Sequence, residues 1–108
     1  MAIAFLYAGQ GAQYTGMGQD LLNHHPEIAT YFDKASEVLG YSMKDLCFQE
    51  DTQLDQTEYT QPAILTVSTA FTALLREAGI TADYLAGLSL GEYTALVEAG
   101  VLSFEDAV

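Results

Sequence analysis

Two short apolar runs and several segments with helix-spaced apolar positions alternate along the chain. The run Ile3 to Tyr7 is apolar at every position and predicts a strand buried on both faces. A second run, Tyr84 to Gly87, predicts the other strand. Between and after these runs, apolar residues recur every third or fourth position, which is typical of helices. Strands that alternate with helices indicate an α/β fold with a parallel sheet and right-handed crossovers.

Capping residues set the expected ends of the first helices. Met17 to Asn23 is predicted as a short helix. A longer helix begins near Pro26, which suits a first turn, and stops before Gly40, which suits the position after a helix end. Ser42, followed three residues later by Asp45, predicts the start of another short helix.

The strongest helical pattern follows a polar stretch. Glu50 to Tyr59 is predicted to be a surface excursion. Thr60 or Gln61 is the expected N-cap of the next helix, with Pro62 in its first turn and Gly79 just past its end. One buried stripe is expected from the apolar residues Ile64, Val67, Phe71, Leu74 and Ala78.

A G-x-S-x-G pentapeptide joins the second strand to the following helix. Ser89 is the central residue of Gly87-Leu88-Ser89-Leu90-Gly91, and the helix is predicted over Leu90 to Ala99 with Gly100 as its stop. The two glycines permit a sharp turn that exposes the serine hydroxyl at the tip of a strand. This context is typical of a nucleophilic serine, and an ordinary tight turn before a helix matches the same pattern.

A glycine-rich loop follows the first strand. Gly9-Gln10-Gly11-Ala12-Gln13 lets backbone N–H groups approach a ligand closely. Tyr14 stands where the dinucleotide fingerprint needs a third glycine, and no G-K-[ST] follows, so nucleotide binding has little support. In α/β-hydrolase-like enzymes an N–H from such a loop and the N–H after the nucleophile form the oxyanion hole, which makes Gln10 and Leu90 the candidate donors.

With both loops in view, the chain resembles the malonyl-CoA:acyl-carrier-protein transacylases of fatty-acid synthesis and the acyltransferase domains of polyketide synthases. Family members usually carry His before the nucleophile and Pro before the first glycine motif, where this chain has Leu88 and Ala8. Leu88 in place of His is expected to leave the turn around Ser89 intact. The matching motifs are, in order, Gly9-Gln10-Gly11-Ala12-Gln13, Gly16-Met17-Gly18, Thr60-Gln61-Pro62-Ala63 and Gly87-Leu88-Ser89-Leu90-Gly91-Glu92-Tyr93.

The resemblance implies a ping-pong malonyl transfer. Ser89 would take malonyl from coenzyme A and pass it to the phosphopantetheine thiol of acyl carrier protein. The oxyanion donors would be the backbone N–H groups of Gln10 and Leu90. Gln10, Gln61 and Leu88 would contact the substrate. The coenzyme A thioester is then a substrate, and neither a permanently bound cofactor nor a metal is expected.

The resemblance also implies that residues 1–108 are the N-terminal portion of an α/β-hydrolase-like parallel-sheet domain. Ser103 with Asp106 predicts the start of a further helix close to Val108. By resemblance, a general-base histidine, a carboxylate-binding arginine, a smaller inserted subdomain and the C-terminal part belong to the remainder of the chain. Residues 1–108 of the large acyltransferase subdomain are therefore expected to be inactive alone and to need that remainder as a partner.

Composition excludes several classes of protein. The chain has 15 acidic and 3 basic residues, so nucleic acid and anionic membrane surfaces are disfavoured as partners. No apolar run approaches the roughly 20 residues of a membrane span, and no signal peptide is evident, so a cytoplasmic location is expected. The single Cys47 is expected to be a buried hydrophobe. The adjacent His24 and His25 lack a metal-ligand spacing.

Two alternative functions share the same sequence features. A serine hydrolase or thioesterase-like enzyme would use the Ser89 turn to pass the acyl group to water, although esterases commonly carry an H-G-G-G-type loop in place of Gly9-Gln10-Gly11-Ala12-Gln13. A non-catalytic fragment is also compatible, because no general base is evident in residues 1–108.

Overall fold

Two strands and six α-helices form the part of the chain that the structure describes. The computed structural model describes residues 3–9, 11, 13–50, 52–80, 82, 84–87, 91–100 and 103–108. In chain order the elements are β1 (Ala4–Tyr7), α1 (Gln19–His24), a 3-10 turn (Pro26–Ile28), α2 (Ala29–Leu39), α3 (Met43–Phe48), α4 (Thr57–Glu77), β2 (Tyr84–Gly87), α5 (Gly91–Glu98) and α6 (Phe104–Ala107).

The two strands lie side by side and run in the same direction. Ala4 is opposite Tyr84, and Tyr7 is opposite Gly87, so both strands end at the same edge. The predicted bounds of β2 are confirmed. Because parallel strands share their carboxyl edge, the loop after Tyr7 and the turn after Gly87 leave the strands next to each other, where α/β proteins place their ligands.

The strand β1 is covered on one face only. Its last residue, Tyr7, is buried, whereas Leu6 is 80% exposed. Successive strand residues point to opposite faces, so the described residues cover the Tyr7 face and leave that of Leu6 open. The prediction of a strand buried on both faces is therefore wrong for this chain, because an apolar run does not specify what packs on each side.

The hydrophobic core lies between α2, α3 and α4. Phe32 of α2 and Met43 of α3 are almost completely buried, as is Leu65 of α4. The ring of Phe104 in α6 packs edge-on against Tyr31, with 5.6 Å between ring centroids. The buried apolar cluster contains Met17, Ile28, Phe32, Ala35, Met43, Leu46, Cys47, Leu54, Ala63, Ile64, Leu65, Ala70 and Phe104.

Most helix ends follow the capping signals. Ser42 Oγ accepts a hydrogen bond from the Asp45 N–H at 3.2 Å, which confirms the predicted cap of α3. Gly40 and Gly100 have φ of 81° and 82°, a conformation in which other residues are strained, so each ends its helix as predicted. The remaining differences are one to three residues at helix ends, such as the start of α1 at Gln19 and not at Met17.

The helix α4 begins earlier than its sequence pattern predicts. Its N-cap is Gln56, so Pro62 lies inside the helix and neither Thr60 nor Gln61 is the cap. The completely buried Thr60 explains the extra turn, because its hydroxyl contacts the carbonyl oxygens of Leu54 and, at 3.0 Å, Gln56. The predicted surface excursion, residues 50–59, is thus shorter than expected, and Leu54 within it is buried.

The buried face of α4 also differs from the predicted stripe. Phe71 is 49% exposed and Ala78 is exposed, whereas Ile64 is buried as predicted. The helix packs against α2, α3 and α5, so small residues outside the apolar stripe are buried too. Phe71 instead borders an open groove of about 330 Å³ beside β1. The buried residues of α4 are Thr60, Ala63, Ile64, Leu65, Thr66, Thr69, Ala70 and Thr72.

Candidate functional site

The glycine-rich loop and the G-x-S-x-G turn both start from the carboxyl edge of the paired strands. The first follows Tyr7, and the second begins at Gly87, which pairs with Tyr7. β2 ends at Gly87 and α5 begins at Gly91, so the serine motif joins a strand to a helix, as predicted. Four predicted site residues lie outside the described part of the chain, namely Gln10, Leu88, Ser89 and Leu90.

Gly91 lies directly against the end of β1. A Cβ atom at this position would overlap the Tyr7 carbonyl oxygen and would lie 2.8 Å from the Tyr7 carbonyl carbon. The Ala8 carbonyl oxygen would be 3.2 Å away. The second glycine of the motif therefore lets the first turn of α5 reach the backbone of the neighbouring strand, which no other residue type would permit without displacement.

A buried hydrogen bond ties the end of β1 to α4. The Tyr7 hydroxyl is 3.0 Å from Thr72 Oγ1. Thr72 donates its own hydroxyl proton to the Ser68 carbonyl oxygen at 2.8 Å, so the Tyr7 hydroxyl is the donor to Thr72. This hydrogen bond therefore fixes the end of β1, where the glycine-rich loop begins, to α4.

The side chain of Gln13 links the glycine-rich loop to the segment before α4. Its Oε1 accepts from the Gly11 N–H at 2.8 Å, and its Nε2 donates to Asp55 Oδ1 at 3.0 Å. Farther along, the Gly16 N–H donates to the Cys47 carbonyl oxygen at 2.6 Å. Sequence reasoning missed the Gln13–Asp55 contact, because the two residues are 42 positions apart and no local pattern connects them.

Gln61 is the one predicted side chain of the site that the structure describes. It lies near the start of α4 and is exposed, so its amide is accessible to a ligand. The helix that carries it packs against α5, the helix that follows the serine turn.

Comparison with known proteins identifies the family. The acyl transferase domain profile matches residues 4–108. The chain belongs to this family. It is 50% identical, over 107 residues, to the malonyl CoA-acyl carrier protein transacylase of Bacillus subtilis. That match covers 98% of this chain and 34% of the Bacillus protein.

Two solved structures extend this comparison. The malonyl CoA-acyl carrier protein transacylase of Clostridium perfringens has a TM-score of 0.94 at 44% identity, covering 99% of this chain and 34% of the other. A malonyl-transacylase in complex with a type II polyketide synthase acyl-carrier protein has a TM-score of 0.94 at 41% identity, covering 99% and 35%. The α/β acyltransferase fold is confirmed, and the chain spans about a third of the length of these relatives.

Cys47 is not suited to act as a nucleophile. It is completely buried, and its Sγ is 3.7 Å from Met43 Sδ. Burial raises the pKa of the thiol to about 12, so the reactive thiolate is scarce at neutral pH. The expectation of a buried small hydrophobe is confirmed.

The two histidines are occupied by local contacts in the helical segment of residues 19–28. His24 Nδ1 is 2.8 Å from the Asp20 carbonyl oxygen, and His25 Nδ1 is 3.5 Å from Glu27 Oε1. Among the residues that the structure describes, no group of three or more His, Cys, Asp or Glu could hold a metal ion.

The surface of the domain is acidic, and two of its cations pair with acids. Lys34 Nζ is 3.3 Å from Glu105 Oε1, and Lys44 Nζ is 3.8 Å from Asp33 Oδ1. Hydrogen bonds from its own backbone and from Lys34 hold the pKa of Glu105 below its usual range. None of the helices in the described ranges has the length and apolarity that a bilayer crossing requires.

Proposed function

We propose that this chain supplies the nucleophile and the oxyanion donors of a malonyl-CoA:acyl-carrier-protein transacylase. The observation that carries the proposal is the pairing of Tyr7 with Gly87, together with the contact of Gly91 against Tyr7. An oxyanion hole of this type requires the two loops that follow these strands to be neighbours. Further support comes from the similarity to malonyl transacylases, one of them in complex with an acyl-carrier protein.

The proposed reaction has two acyl transfers. The Ser89 hydroxyl attacks the thioester carbonyl of malonyl-CoA, the carbon–sulfur bond breaks, and coenzyme A leaves as its thiol while malonyl remains as an ester on Ser89. The phosphopantetheine thiol of the carrier protein then attacks this ester, and Ser89 recovers its proton. A histidine, implied by the family resemblance, would relay the proton in both steps.

Backbone donors stabilise the charge that develops in each transfer. The N–H groups of Gln10 and Leu90 would hold the oxyanion of both tetrahedral intermediates, and one such donor is worth roughly 100- to 1,000-fold in rate. The side chains of Gln61 and Leu88 would contact the acyl substrate. The substrate is the coenzyme A thioester itself, so this mechanism needs no permanently bound cofactor.

The proposal also covers the remainder of the chain and the cellular location of the reaction. Residues 1–108 would be the N-terminal portion of the large subdomain, with an α/β-hydrolase-like parallel sheet extended by the remainder of the chain. That remainder would also contain the smaller inserted subdomain, and the reaction would take place in the cytoplasm without nucleic acid or membrane. We use the term complete enzyme for residues 1–108 within a chain of the relatives' full length.

Substitution of the proposed nucleophile tests the function. Ser89→Ala in the complete enzyme should abolish malonyl transfer to holo acyl carrier protein, with a rate loss of several orders of magnitude. Ser42→Ala is the matched control, since that serine caps α3 away from the strand edge and its loss affects stability alone. Substantial transfer by Ser89→Ala would mean that another residue is the nucleophile.

A further inference from the structure

We propose that Gln13 and Asp55 are positioning residues that hold the glycine-rich loop in the conformation its oxyanion donor requires. The inference rests on the proposed function, in which the Gln10 N–H binds the oxyanion. Neither side chain is placed in contact with substrate. Their role would be to fix the backbone next to the donor.

The loop needs an external constraint because of its composition. Gly11 has a φ of 109°, and glycine adopts many other conformations at similar energy. The Gly11 N–H belongs to the peptide group that joins it to Gln10, and Gln13 Oε1 accepts from this N–H at 2.8 Å. In the described part of the chain, a Cβ at Gly11 would have no atom within 4 Å beyond its chain neighbours, so the space around this residue is open.

The Asp55 end of the link is fixed to the body of the domain. Asp55 directly precedes Gln56, the N-cap of α4. The residue before it, Leu54, is buried, and its carbonyl oxygen accepts from the Thr60 hydroxyl. The Gln56 N–H donates to the Gln53 carbonyl oxygen at 2.9 Å. The Gln13 amide therefore connects a glycine loop to a turn that is already held by buried and hydrogen-bonded neighbours.

In the link as it stands, Gln13 supplies both a donor and an acceptor from the same side chain. Its amide oxygen faces Gly11 and its amide nitrogen faces Asp55. Gln13→Glu would keep an acceptor for Gly11 but would bring two carboxylates together, which repel each other. Adding Asp55→Asn would restore the link with reversed roles, since the new amide can donate to the carboxylate at position 13.

The experiment measures kcat and KM for malonyl-CoA in the complete enzyme. Gln13→Glu should lower kcat about tenfold, a fraction of the loss of a whole oxyanion donor, and should leave KM nearly unchanged because the donor acts on the transition state. Asp55→Asn alone keeps an acceptor for Gln13, so the kcat of this variant should stay within about twofold of that of the unmodified enzyme. The double variant Gln13→Glu/Asp55→Asn should recover kcat to within about threefold.

A matched pair elsewhere provides the control. Gln49 Nε2 donates to Asp45 Oδ1 at 3.3 Å, the same chemistry at the end of α3. Gln49→Glu should leave kcat unchanged. If Gln13→Glu does not fold, Asp55→Ala removes the same hydrogen bond without placing two carboxylates next to each other. This variant should lower kcat about threefold and leave KM unchanged.

The outcomes separate this inference from the proposed function. An unchanged kcat in Gln13→Glu or Asp55→Ala, with activity still lost in Ser89→Ala, would overturn the positioning role alone. The positioning role would also be overturned if the double variant did not recover kcat, or if Gln49→Glu lowered kcat as much as Gln13→Glu does. Full activity in Ser89→Ala would instead overturn the proposed function.

Discussion

Replacing Gly91 with alanine would add a methyl group at a point where the backbone of β1 already lies. The new Cβ would overlap the Tyr7 carbonyl oxygen and would approach the Ala8 carbonyl oxygen to 3.2 Å. Both neighbours are main-chain atoms, so no side-chain rotation can relieve the overlap. Either the end of β1 or the first turn of α5 must move.

The size of the effect follows from two opposing terms. Overpacking of a filled site costs about 1–3 kcal/mol, and a clash with backbone belongs at the upper end of that range. Alanine in place of glycine stabilises a helix by up to about 1 kcal/mol. We therefore expect Gly91→Ala to lower the free energy of unfolding by about 2 kcal/mol.

Gly40→Ala is the matched control for this substitution. Among the residues that the structure describes, none beyond its chain neighbours lies within 4 Å of a Cβ at Gly40, but its φ of 81° is strained for alanine. That strain costs about 1–2 kcal/mol and lies at the end of α2, away from the strand edge. Gly40→Ala should reduce stability without slowing acylation, whereas Gly91→Ala should do both.

The assay combines urea unfolding, followed by circular dichroism, with the rate of malonyl transfer in the complete enzyme. Because long chains need not unfold in two states, the unfolding midpoints of the variants are compared under identical conditions. If Gly91→Ala keeps the midpoint and the transfer rate of the unmodified enzyme, then α5 does not approach β1 as closely as the structure indicates.

Three further predictions concern the surroundings of the site and the surface. Tyr7→Phe removes the hydrogen bond to Thr72, while Thr72 keeps its own hydrogen bond to the Ser68 carbonyl oxygen. The free energy of unfolding in urea should fall by about 1 kcal/mol. An unchanged free energy of unfolding would mean that the Tyr7–Thr72 hydrogen bond makes no net contribution to stability. Cys47, with its raised pKa of about 12, should resist thiol reagents at pH 8 until the protein unfolds, and rapid labelling of the folded protein would contradict its burial. Acyl carrier proteins are acidic, as residues 1–108 are, so like-charge repulsion should place the docking surface mainly outside residues 1–108. Reversing the charges of Lys34, Lys44 and Arg76 together should then change the KM for the carrier protein only slightly. A rise of tenfold or more in this KM, about 1.4 kcal/mol, would instead place the docking surface on these three residues.

Local signals in the sequence predict the features that local chemistry determines. Ser42 caps α3, Gly40 and Gly100 end helices, and β2 has its predicted bounds, because each depends on residues a few positions apart. The resemblance carried by the ordered motifs is confirmed at the level of the family. These signals also predict that the serine turn joins a strand to a helix, as observed.

Features that depend on distant residues were not predictable in this way. Thr60 is not the N-cap of α4, because its buried hydroxyl donates to carbonyl oxygens of the preceding residues. The helix therefore begins one turn earlier than predicted. The exposure of Leu6 depends on what covers β1, which an apolar run does not specify. The link between Gln13 and Asp55 spans 42 positions and has no periodicity that could reveal it.

The most direct test of the central claim is to trap the acyl-enzyme. The complete enzyme is incubated with malonyl-CoA, its intact mass is measured, and the modified peptide is mapped before and after addition of holo acyl carrier protein. We expect one malonyl group on the peptide that contains Ser89, stable against water on this timescale and discharged onto the phosphopantetheine thiol. Malonyl on a different residue, or equally fast discharge to water without the carrier protein, would contradict the account.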